Sequence, residues 1–255
     1  AMDELFRHAI TKMSHIHFPA TKKYTERIIQ MGENPDSVFC FGAPGLDNIY
    51  KLKLLNKQQL KNELGLPGEK EWGVVTYHPV TLEKDRAKIQ IEELLNALME
   101  FSVVYWVFTL PNADTENSII IKSIKDYVQK KPQRAVLFSS LGQQKYLSLL
   151  KSAIVMVGNS SSGIIEAQSF ELPVVNISDR QKGRVRAKNV IDVPVCEKNR
   201  IVTAINLAIS KEFRDSLKGL ENSHGNGDVS ERILNVLKTI TLGEKIIKKT
   251  FYDFK

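Results

Sequence analysis

The stretch Ile154-Val155-Met156-Val157-Gly158-Asn159-Ser160-Ser161-Ser162-Gly163-Ile164-Ile165-Glu166 decides the fold. A short apolar run with β-branched residues reads as a buried strand, and its closing glycine marks a turn. Three consecutive hydroxyl residues follow, and a helix is predicted over Ser161 to Ser169. Strand, polar turn and helix in this order form half of a βαβ unit.

The same pattern recurs on both sides of it. Trp72 to Tyr77, Val103 to Phe108, Ala135 to Ser139, Ile154 to Val157, Val174 to Ile177 and Val190 to Val193 read as strands apolar on both faces. Helices are predicted over Lys84 to Phe101, Asn117 to Lys131 and Gln143 to Ser152. Alternation of this kind predicts a parallel sheet covered on both faces, a Rossmann-like α/β domain. Outside it, Asp3 to Met13 is predicted helical with Asp3 as N-cap, Lys22 to Met31 is a helix stopped by Gly32, and Ser37 to Phe41 is a strand. One or two βα units cannot bury both faces of a sheet, so residues 1–68 read as the end of a second domain, with a linker closing at Leu64-Gly65-Leu66-Pro67-Gly68. Residues 69–227 form the complete domain, and residues 228–255 a terminal amphipathic helix and basic tail that cross back.

Composition narrows the function classes. The 255 residues carry 36 Lys+Arg against 29 Asp+Glu, a net charge of +7, with 42% hydrophobic residues, which excludes disordered, collagen-like and disulfide-scaffold chains. Cys40 and Cys196 suit a reducing compartment and offer neither a metal cage nor a disulfide framework. Apolar runs fall far short of the ~20 residues needed to span a bilayer, and Ala1-Met2-Asp3-Glu4 is no signal peptide. The expectation is a cytoplasmic protein without membrane or nucleic-acid partners. Five cations do cluster at Arg180, Lys182, Arg184, Arg186 and Lys188.

The candidate site follows from the topology rule that open α/β sheets bind ligands at the carboxyl ends of their strands. The serine turn reads either as a phosphate cradle, with helix N–H groups and the Ser160 and Ser161 hydroxyls as donors, or as plain N-capping. Three hydroxyls between two glycines favour the cradle. Glu166, further along the helix, could accept from a vicinal diol such as that of ribose. Arg180, after the strand Val174 to Ile177, could clamp a diphosphate, whereas the other four cations read as solvated loop charges. His78 and Asn112 stand at the tips of the first two strands of the sheet, each either a ligand contact or a local structural residue. His15 and His17 share a face of a presumed strand, but without a third ligand they read as core or interface histidines rather than a metal site. Neither a dinucleotide fingerprint nor a Walker loop nor a nucleophile elbow is present.

Several stretches together resemble the hydrolysing UDP-N-acetylglucosamine 2-epimerases of sialic-acid biosynthesis. They are residues 3–15, Met31-Gly32-Glu33, His78-Pro79-Val80-Thr81, residues 158–166, and Asn176-Ile177-Ser178-Asp179-Arg180-Gln181-Lys182-Gly183-Arg184. The resemblance implies a GT-B-like fold of two Rossmann-like domains, no cofactor or metal, a UDP-sugar substrate, and a homo-oligomer, dimer or tetramer. It implies that the residues matching His78, Asn112, Leu141, Ser160, Ser161, Glu166 and Arg180 contact the UDP part. It further implies catalytic roles for Asp3, near the sugar, and His78. Two departures stand out. Family members carry a complete Rossmann domain ahead of these motifs, so turnover is expected to need that half. A segment the family often writes Asn-Pro-Tyr-Gly-Asp-Gly reads Asn222-Ser223-His224-Gly225-Asn226-Gly227 here. The same chemistry on UDP-2,4-diacetamido-2,4,6-trideoxyglucose, a GT-B glycosyltransferase donor domain, or a UDP-binding fragment without activity are the alternatives.

Overall fold

The computed structural model describes residues 2–79, 86–111, 117–241 and 243–253. In chain order the helices are α1 (Met2–Met13), α2 (Lys22–Gln30), α3 (Asp47–Lys51), α4 (Lys57–Leu64), α5 (Ala87–Leu98), α6 (Asn117–Lys130), α7 (Gly142–Ser152), α8 (Ser162–Ile165), α9 (Lys198–Ile209), α10 (Lys211–Ser216), α11 (Val229–Thr239) and α12 (Glu244–Ile247). The strands are β1 (Glu71–Thr76), β2 (Val104–Thr109), β3 (Ala135–Phe138), β4 (Val155–Gly158), β5 (Val174–Ile177) and β6 (Val190–Val193). The chain divides into two compact units, unit 1 of residues 1–51 and 222–255 and unit 2 of residues 52–221.

Unit 2 is an α/β fold built on one six-stranded sheet in the order β3-β2-β1-β4-β5-β6, every pair parallel. Parallel strands have both faces covered, which is why β1, β2, β4 and β5 are mostly apolar and buried along nearly their whole length. α5, α6 and α9 pack on the face that contains Val75, Tyr77, Trp106 and Phe108. α4 and α7 pair on the opposite face, over Trp72 and Val74. The strand order reverses direction between β1 and β4, so the crevice at their carboxyl ends is the topological switch point. The turn Leu64–Gly68 lies within this unit, where Gly65 ends α4.

Among the described residues unit 1 has no such sheet. The apolar run Ser37 to Phe41, expected as a strand, makes one isolated parallel bridge, His17 with Val38. Its start is consumed by a 3-10 turn, Pro35–Ser37, which Asn34 caps through its side chain. Phe18, Phe39 and Phe41 stack on one another at 5.8–6.1 Å. Asp3, expected to precede its helix as a cap, lies inside α1. Met31 and then Gly32, at φ 84°, end α2 as expected of a glycine stop. His17 does not share a site with His15; its Nε2 meets the Glu33 carboxylate at 3.0 Å. Among the described residues no helix is long and apolar enough to cross a membrane.

Candidate functional site

The tip of β4 organises the crevice. Gly158 has φ 135°, and a Cβ there would lie 2.0 Å from the Thr76 carbonyl oxygen, so only glycine lets β4 leave the sheet so close to β1. The next residue, Asn159, is fully buried. Its Oδ1 accepts from the His78 N–H at 2.7 Å and its Nδ2 donates to the His78 carbonyl at 2.9 Å, so one side chain fixes the tip of β1 from both sides. Its own carbonyl accepts from Gln181 Nε2 at 2.7 Å and Arg180 Nη1 at 3.2 Å. Asn159 thereby holds His78, the serine turn and the loop after β5 in one frame. Sequence reasoning passed over it; its place after the strand-ending glycine was the available signal.

The serines divide their work. Ser160 Oγ accepts from the Ser162 N–H at 3.3 Å, whereas Ser161 stands at the N-cap of α8 without a side-chain cap bond. Plain N-capping therefore does not account for Ser161. The opening amides of a helix lack intrahelical acceptors and favour an anion. The helix expected over Ser161 to Ser169 is interrupted: α8 stops at Ile165 and a 3-10 turn, Ala167–Phe170, follows. The Gln168 side-chain amide donates to the Ile164 carbonyl, the acceptor that a continuing helix would give to the Gln168 N–H. Glu166 sits at this break, with Oε2 buried and without a hydrogen-bond partner among the described residues. Burial holds its carboxyl above the usual range, against a bond from Ser162 that favours the charged form.

Arg180 is exposed at the crevice after β5. Ser178, before it, is buried at φ 63°, its hydroxyl unpartnered among the described residues. Of the cations expected to be solvated, Arg186 is instead ion-paired to Asp192 at 3.2 Å and bonded to the Gln181 carbonyl, and Lys188 donates to the Ser216 carbonyl. These two brace the loop between β5 and β6. Leu141 is half-buried at the N-cap of α7. The structure thus gathers His78, Ser160, Ser161, Glu166 and Arg180 at the ends of β1, β4 and β5. Asn112 lies outside the described residues, as does the side chain of Asp3, whose backbone belongs to α1 in unit 1. Among the described residues no group of three or more His, Cys, Asp or Glu could hold a metal ion.

A parallel sheet with a polar crevice at its switch point defines an open α/β fold, and known proteins make the class specific. A family profile described as UDP-N-acetylglucosamine 2-epimerase matches residues 1–238. The chain belongs to that family. It is 40% identical over 254 residues to the Campylobacter jejuni protein named GDP/UDP-N,N'-diacetylbacillosamine 2-epimerase (hydrolyzing), covering 99% of this chain and 65% of the relative. It is 38% identical to the Escherichia coli polysialic acid biosynthesis protein P7, covering 98% of this chain and 63% of that one. Among solved structures it resembles the S. aureus MnaA–UDP complex with a TM-score of 0.71 at 20% identity, over 96% of this chain and 64% of that one. That likeness shows the fold, which is α/β and GT-B-like. The chain spans a little under two thirds of the length of the curated relatives it matches.

Proposed function

We propose that the protein to which this chain belongs is a hydrolysing UDP-sugar 2-epimerase, and that unit 2 binds the UDP moiety. The observation that carries this reading is the Glu166 carboxylate, with one oxygen buried and unpartnered among the described residues, beside the serine turn. A ribose diol supplies the donors Glu166 lacks, and the opening amides of α8, the Ser160 and Ser161 hydroxyls and Arg180 suit a diphosphate. Leu141 and Asn112 complete the UDP contacts in this proposal.

The reaction follows from the leaving group. UDP departs from C1 as a proton is taken from C2, leaving a glycal, and water then adds a hydroxyl at C1 and a proton at C2 on the opposite face. Departure of the diphosphate requires charge stabilisation, which Arg180, His78 and the serine turn are suited to give. Proton transfer at the sugar requires an acid/base, for which Asp3 is the candidate in this chain. We read residues 1–68 as the remnant of a preceding Rossmann-like domain, residues 69–227 as the UDP-binding domain and residues 228–255 as a segment returning to the first. The complete protein is expected to be a cytoplasmic homo-oligomer.

For the sugar, the reading is UDP-N-acetylglucosamine, giving N-acetylmannosamine for sialic-acid synthesis, in keeping with the polysialic acid relative. A second reading, UDP-2,4-diacetamido-2,4,6-trideoxyglucose, is favoured by the name of the C. jejuni relative. Product analysis with both UDP-sugars and the complete enzyme separates them. Release of a free 2-acetamido sugar without an acceptor excludes a glycosyltransferase. Arg180→Ala and Glu166→Gln should each weaken UDP binding by ~10-fold or more, as loss of a charge-assisted contact does; unchanged affinity in both overturns the assignment.

A further inference from the structure

Behind Glu166 runs a line of hydroxyls that binding of UDP does not by itself require. Thr109 Oγ1, at the end of β2, lies 2.5 Å from Thr76 Oγ1 at the end of β1. Thr76 in turn acts on the Tyr146 hydroxyl from α7, favouring its ionised form against burial. Tyr146 donates to Ser162 Oγ at 2.8 Å, and the Ser162 side chain, one helical turn before Glu166, favours the ionised form of the Glu166 carboxyl. Two strands and two helices thus contribute to one cluster of polar groups beside the Glu166 carboxyl.

Its direction follows from donor counting. An ionised carboxylate only accepts, so Ser162 spends its single proton on Glu166. Ser162 must then accept from Tyr146, whose oxygen is left to accept from Thr76. Each bond polarises the next, so removing a middle link weakens the last.

We propose that Tyr146 is a positioning residue: acting through Ser162, it keeps the Glu166 carboxylate ionised and turned so that its second oxygen receives the ligand's ribose diol. The proposal rests on the reading of Glu166 as the diol acceptor. Burial opposes ionisation of Glu166, and the Ser162 side chain, followed by Glu166's own backbone N–H, favours the charged form. Burial likewise pushes the Tyr146 phenol up to about 12, so it stays a donor across the neutral range. Tyr146 is the titratable group that acts on Glu166 from α7; His78 and Arg180 stand at the tips of the flanking strands, held by Asn159.

The test is a cycle of Tyr146→Phe, Glu166→Gln and the double variant in this 255-residue chain. Calorimetry follows UDP-N-acetylglucosamine binding from acid to alkaline pH, a probe whose diphosphate diester does not titrate near neutrality. In Tyr146→Phe the acid limb of the affinity profile should move up by about half to one pH unit, lowering affinity ~3–10-fold along the acid limb and less than about twofold on the alkaline plateau. Thr76→Val should move it the same way by less. In the Glu166→Gln background Tyr146→Phe should have no effect on the profile. An unmoved limb in Tyr146→Phe, or an equal loss in both backgrounds, overturns the proposal. If Glu166→Gln alone binds as tightly as the parent at every pH, it is the assignment of Glu166 to the ribose that fails.

Discussion

The two units of this chain handle buried polarity in opposite ways. In unit 2 the sheet is held by apolar side chains from both faces, and a set of buried polar groups, among them Asn159, Gln181, Ser162 and Thr76, is gathered at the strand tips. In unit 1 buried charge sits in the interior. Glu33, 1% exposed, takes Lys12 on Oε1 at 2.6 Å and both His17 at 3.0 Å and Lys249 at 2.6 Å on Oε2. Lys249 also donates to the Lys12 and Ser14 carbonyls, tying the tail to the end of α1. The apolar side chains that would ordinarily supply a core there remain outside: Leu5, Phe6, Ile10 and Met13 of α1 are 62–77% exposed. The difference teaches that unit 2 can give its polar groups to a ligand because apolar burial stabilises it, whereas unit 1 depends on ion pairs and therefore on pH.

The sharpest way to break this contrast is one large deletion in each unit. Trp106→Ala removes a fully buried ring that packs edge-on to Phe101 and donates to the Leu98 carbonyl. It should cost about 3–5 kcal/mol, read from urea unfolding. Glu33→Ala leaves Lys12, Lys249 and His17 without their carboxylate and should cost roughly 3 kcal/mol, read from amide exchange in unit 1. Both tryptophans, Trp72 and Trp106, belong to unit 2, so their fluorescence should not move in Glu33→Ala. A coincident change would merge the two units into one cooperative body.

A milder break uses acid. Burial pushes the Glu33 carboxyl up, but bonds from Lys12, Lys249 and His17 carry it below the usual carboxylate range. Burial holds His17 below its usual 6.5 despite Glu33. For Glu33 the stabilisation is present above the unfolded value near 4.5 and is lost as pH falls through the lower folded value. For His17 the unfolded chain takes up the proton first, so stability declines as pH drops below 6.5. Both act in the same direction. Protection of the unit 1 amides, measured against their intrinsic exchange rates, should therefore fall between about pH 6 and pH 4 while the tryptophan signal of unit 2 holds; a flat response in unit 1 removes the electrostatic account.

The same contrast governs what could be read from the sequence. The six strands were legible because a parallel sheet covers both faces and leaves predominantly apolar runs, and the serine turn was legible as a strand-ending glycine followed by hydroxyls. Asn159 and Tyr146 were not, because their partners are remote in sequence: Asn159 bonds to a backbone 81 residues away and Tyr146 to Ser162 across 16 residues. Nothing local distinguishes them from a turn residue and one more aromatic on an amphipathic helix. In unit 1 the apolar run Ser37 to Phe41 misled, since stacked phenylalanine rings look in sequence like a strand. Glu33 read only as part of a motif, because its cations come from opposite ends of the chain.

The smallest effect separates a cap supplied from afar from the residue that sequence position would favour. Asp228 occupies the N-cap of α11 at φ 55°, and its side chain makes no cap bond. The cap is Asp47, whose two oxygens accept from the Val229 and Ser230 N–H groups at 2.8 and 2.9 Å. Asp47→Ala should therefore cost about 1–2 kcal/mol, seen as faster amide exchange in the first turns of α11. Asp228→Ala should not remove a cap bond, and Asp228→Gly should be neutral or stabilising by up to about 1 kcal/mol, because glycine accepts a left-handed backbone without strain. Burial pushes the Asp47 carboxyl up, but bonds from Ser230 and Val229 carry it below the usual value, so its contribution persists above pH 3.8 and fades only in stronger acid. Loosening of α11 in Asp228→Gly rather than in Asp47→Ala would reverse the assignment and return the cap to the local sequence.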